Sequence, residues 1–252
     1  MMFKVDKLSL ISGCDIDIKE YGVKIYQPNI KEIALIGEEN FFLYLNLFAI
    51  EEDNFKKMLI KLLKENNKQE VEQLVNNFTT WDIFMFLLNS DKQFSNNCQF
   101  FLDWIIINKK VQIEKGDILL IDEESTIQVD DTLFIILKDI IHQIFLFNKF
   151  FSISLYEPVN EKARAIAEKM RKAKEKINKN NKLEEGSQSL FSNVISILSI
   201  GSSYSLNDLN NLTIYQLYNQ FERYILYIQY NQSVQAALAG AKVDIVDWFK
   251  EI

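Results

Sequence analysis

Two prolines and seven glycines in a chain of 252 residues leave few places where the backbone can turn tightly. An all-β sandwich needs a turn every few residues, and those turns draw on Gly and Pro for positive φ and fixed φ. A chain this poor in both must spend most of its length in longer elements, and its apolar residues recur mainly at helical spacing. Hydrophobic residues make up 48% and charged residues 25%, so there is enough apolar surface to bury a core and the chain is not of the disordered class. The reading is an α+β protein, predominantly α-helical, with an N-terminal β ribbon, an internal β element and a C-terminal helical region.

Near the start, "LSLI", "DIDI" and "VKIYQ" alternate apolar and polar residues, with Gly13 and Gly22 between them. This predicts a β ribbon that buries Ile16, Ile18, Val23 and Ile25 on one side. After Pro28 the spacing becomes helical. Ile30, Ile33, Phe41, Leu45 and Phe48 share an inward face, with Gly37 a break between two helices. "NFKKMLIKLLKEN" and "KQEVEQLVNNF" predict two further amphipathic helices. In "TTWDIFMFLLNSD", Thr79 and Asp82 stand as a capping box, and the apolar residues run nearly all round, predicting a central helix. "NNCQFFLDWIII" continues in the same manner.

"VQI", "ILLI" and "TIQV" then signal short strands separated by the turn-like "EKGD" and "DEES". Asp130 or Asp131 caps the apolar helix "TLFIILKDIIHQIFLFNKF". Residues 1–157 read as one α+β domain, 158–185 as a basic helix and linker, and 186–252 as a helical region. In that last part "LFSNVISILSI" is followed, after "GSSYS", by a long helix with breaks. Tyr215, Tyr218, Phe221, Ile225 and Ile228 give it an aromatic stripe.

Residues 158–182 carry nine Lys or Arg against three Glu, a net +6 in a chain whose formal charge is −7, which leaves −13 on the rest. Ala163, Ile166, Met170, Ala173 and Ile177 recur at spacings of 3, 4, 3 and 4, a narrow apolar seam on a cationic helix. Nucleic acid is one reading, since clustered cations release counterions from phosphate. Against it, no aromatic residue lies between Asn160 and Lys182 to stack on bases. The seam is also too thin in large side chains for a membrane surface. A connector, or a helix that docks on an acidic partner surface, fits better. The partner-binding candidates are Lys169, Met170, Lys172, Ala173, Lys176 and Ile177.

Catalytic chemistry has little to stand on. His142, the only histidine, lies in "IIHQIF" and reads as a core or helix-face residue. Cys14 and Cys98 have no metal-ligand spacing and read as two reduced, buried thiols. Asp15 and Asp17 alternate on the predicted first strand and share a face. They and Asp122, Glu123, Glu124, Asp130 and Asp131 read as turn residues and a helix cap rather than a metal cluster. Trp81, Trp104 and Trp248 read as core anchors, and "ALAGA" as small-residue packing or a helix ending at Gly240. No phosphate-binding glycine loop or nucleophile motif is present. The expectation is therefore no catalytic, cofactor-binding or metal-binding residues. No run approaches the roughly 18 uninterrupted apolar residues of a membrane span, and the start of the chain lacks a signal-peptide pattern.

"KIYQPNIKEIALIGEENFF" resembles the opening of tail-morphogenesis proteins in phages of Gram-positive bacteria. The matching positions are Gln27, Pro28, Ile30, Glu32, Ile33, Gly37, Glu38 and Phe41. "TTWDIF", the start of the basic helix at Pro158, Asn160 and Glu161, "LTIYQLYNQFERY" and the closing "DWFKEI" follow the same order. The resemblance touches most of the chain through short phrases. It implies non-enzymatic work in the host bacterial cytoplasm, as a tail assembly chaperone that holds a tail or tape-measure protein. The alternative it implies is a structural component of the virion tail or baseplate. It transfers no catalytic residue.

Overall fold

The computed structural model describes residues 2–49, 56, 77–114, 116–151 and 189–250. Over these the chain is α+β and predominantly helical, with two small antiparallel sheets set among helices. The amphipathic stretches expected over residues 54–66 and 68–78, apart from residues 56, 77 and 78, and the basic segment 158–182 lie outside the described residues.

The first element is not a strand. α1 (Lys7–Ser12) occupies "LSLI" because the Asp6 side chain caps it, accepting from Ser9 N at 3.0 Å, and Gly13 ends it at φ 66°. Two apolar–polar alternations are too few to outweigh a cap at each end. β1 (Ile16–Ile18) and β2 (Val23–Ile25) then pair as a ribbon, with Ile16 opposite Ile25 and Ile18 opposite Val23. All four are buried, as the alternation predicts, while Asp17 and Lys24 face each other outside. Asp15 lies just before β1 and Asp17 within it; both are exposed, alternating with the buried Ile16 and Ile18.

α2 (Ile30–Ile36) begins with a capping box, Asn29 accepting from Glu32 N and Glu32 accepting from Asn29 N. Gly37, at φ 87°, ends α2 and opens α3 (Glu38–Asn46). The inward face of the two is the expected one, with Ile30, Ile33, Phe41, Leu45 and, just beyond α3, Phe48 buried. α4 (Thr80–Ser90) starts at the Thr79/Asp82 box. It is less central than its composition implies, because Phe86 is exposed and the helix buries only Ile83, Phe84 and Leu88. Asp91 ends α4 and caps α5 (Lys92–Ile105).

Past α5 the chain pairs briefly with the ribbon, through Tyr26 N to Ile105 O at 2.7 Å and Ile107 N to Lys24 O at 3.2 Å. It then makes the meander β3 (Lys110–Glu114), β4 (Asp117–Ile121) and β5 (Thr126–Gln128). Asp130 caps α6 (Asp131–Ile144), and Leu146, at φ 50°, separates it from α7 (Phe147–Phe151).

The helices α8 (Leu190–Gly201), α9 (Leu206–Asn210) and α10 (Ile214–Leu238) complete the described chain. α9 and α10 are separate because Thr213 and Gln216 form a capping box that starts a new helix. These helices share the core of the preceding elements. The Phe41 ring stands 5.3 Å from that of Phe145 and 6.0 Å from that of Phe191 on α8. Around this point Phe48, Phe84, Phe101 and Phe134 extend the cluster of aromatic rings through the molecule.

Candidate functional site

The polar residues of the phrase "KIYQPNIKEIALIGEENFF" cap and tie together the N-terminal elements, and part of the phrase bonds to α8–α10. Gln27 is buried, and its amide donates to Ser9 O at 3.2 Å and Cys14 O at 2.6 Å, tying α1 to the ribbon. Glu32 closes the α2 capping box and accepts from the Tyr26 hydroxyl at 2.9 Å. Burial, followed by this carboxylate, pushes that hydroxyl's pKa up to about 12. Asn29 bridges to Thr213, and Ile30 N donates to Leu212 O at 2.9 Å. Glu38 accepts from Leu190 N at 2.7 Å, at the first turn of α8. Gln216 donates to Ile11 O at 2.9 Å, next to Gly13, where an added Cβ would come within 2.9 Å of that amide. The phrase thus supplies caps and crosslinks at a joint.

An open cleft of about 570 Å³ lies between the end of α5 and the meander. Asn108 forms one wall, accepting from Lys24 N at 2.8 Å and donating to Gly22 O at 2.8 Å. Asp103 accepts from Val111 N at 3.1 Å. The Lys109 side chain is 4% exposed and its ammonium is ion-paired with Asp122, with Ser125 Oγ at 3.2 Å. The hydrogen bond from Lys109 holds the Asp122 carboxyl below the usual carboxylate range, helped by the backbone N–H groups of Glu124 and Ser125. Asp122 is therefore a turn residue, as expected, but also the counter-ion of a buried lysine. Lys109 stands just before β3, two residues from the buried Val111, and an ammonium buried there needs a partner.

His142 is half-buried on α6. Its Nε2 lies 3.0 Å from Phe48 O, so that nitrogen donates, and the ring stacks on Phe147 at 4.0 Å. Burial lowers its pKa. Cys98 is buried, which pushes its thiol up and away from reactivity. Cys14 is exposed, contrary to expectation: it follows the left-handed turn at Gly13, where its carbonyl is drawn inward to Gln27. Among the described residues no group of three or more His, Cys, Asp and Glu is placed to hold a metal ion. No described helix is long and apolar enough to cross a membrane.

Trp81 and Trp104 pack against the core, but Trp248 does not. It lies on the outer part of α10, 5.5 Å from the Tyr227 ring and 6.2 Å from that of Tyr230. Arg223 holds the segment there by donating to Trp248 O at 2.9 Å and Lys250 O at 2.8 Å. This clasp joins residues 25 apart across the Gly240 turn, and local spacing carries no sign of it. The partner-binding candidates Lys169, Met170, Lys172, Ala173, Lys176 and Ile177 lie outside the described residues, so the structure neither gathers nor separates them.

A family model described as the YomV second domain matches residues 178–252. The described part of that stretch is α8, α9, α10 and the segment that returns along α10. No curated protein and no solved structure matches the chain. Over residues 178–252 the chain is similar to a phage-derived family.

Proposed function

We propose that this chain is a non-enzymatic phage tail-morphogenesis protein, a tail assembly chaperone that binds a tail or tape-measure protein in the host cytoplasm. The observation that carries the reading is the match of residues 178–252 to a phage-derived domain. The phrase that resembles tail-morphogenesis proteins supports it, because its residues form the joint on which that domain is seated. The work is done by contact, with no cofactor. Lys169, Lys172 and Lys176 supply charge to an acidic partner helix, while Met170, Ala173 and Ile177 supply the apolar seam.

Co-expression with the tape-measure protein tests this. The chain keeps its partner soluble and co-purifies with it. The triple substitution Lys169→Glu, Lys172→Glu, Lys176→Glu abolishes co-purification while the circular dichroism spectrum of the chain is unchanged. A tape-measure protein that stays equally soluble without this chain, or with the triple variant, overturns the proposal. If steeply salt-sensitive DNA binding is instead what the triple variant loses, the basic segment serves nucleic acid.

A further inference from the structure

We draw no further inference here: the strongest candidate, the open cleft between the end of α5 and the β3–β5 meander, carries nothing, because its Asp103, Asn108, Lys109 and Asp122 side chains are bonded within the fold and nothing in the structure shows what occupies it.

Discussion

Replacing Phe41 with Ala removes the ring that joins α3 to the end of α6 and to α8. Phe41 is fully buried, and its ring meets those of Phe42, Phe145 and Phe191 at 5.5, 5.3 and 6.0 Å. Taking away a buried phenyl group costs its transfer free energy plus the cavity left behind, about 3–5 kcal/mol in well-packed cores. Ring contacts from its own helix, from the end of α6 and from α8 limit how far the site can collapse, so the loss falls at the upper end, about 4–5 kcal/mol. Against a typical total of roughly 5–15 kcal/mol this is a large fraction of stability. Phe41→Leu keeps part of the volume and loses about 1–2 kcal/mol.

Urea denaturation followed both by far-ultraviolet circular dichroism and by tryptophan fluorescence measures the effect. Trp81 and Trp104 report on the N-terminal elements and Trp248 on α10, so a shared core makes both signals move together to lower urea in each variant. A loss below about 1 kcal/mol for Phe41→Ala would contradict the cavity reasoning, because that is the scale of a surface substitution. Two separated transitions in wild type would contradict the shared core.

Gly201→Ala places a Cβ where the Tyr224 hydroxyl and ring now pass, so that side chain must leave its place against α8. About 1–3 kcal/mol of stability is lost, read as a lower melting temperature, and retention of wild-type stability would refute the close approach. Thr213→Ala breaks the box that starts α10 and costs about 1 kcal/mol by urea titration, while Thr213→Ser costs almost nothing. His142 titrates lower in the folded chain than its ordinary value of about 6.5. The unfolded chain therefore binds the proton first, and stability drops as pH falls below that value towards the folded pKa. His142→Phe keeps the stack on Phe147 and flattens that part of the stability–pH curve; an unchanged slope assigns it to other groups.

Local chemistry made much of the fold legible. The boxes at Asn29/Glu32 and Thr79/Asp82 depend only on residues three apart, and the alternation of Ile16, Ile18, Val23 and Ile25 is the period of a strand. "LSLI" shows the limit of that rule, because four residues satisfy strand and helix alike and Asp6 and Gly13 decide between them. Cys14 is outward because Gly13 turns the chain there, a backbone event that hydrophobicity does not encode. Lys109 finds Asp122 only when the meander brings β3 beside the β4–β5 turn. Arg223 finds the Trp248 carbonyl only across the Gly240 reversal. Such contacts depend on register and on tertiary turns, so spacing in the chain could not announce them.

Quantitative mass spectrometry of purified phage particles beside the lysate that produced them tests the chaperone claim most directly. The account predicts that the chain is found in the lysate with tail proteins and is missing from finished particles. A fixed, symmetry-compatible copy number in particles contradicts the chaperone and makes the chain a structural part of the tail or baseplate. No association with tail proteins in either sample contradicts tail morphogenesis altogether.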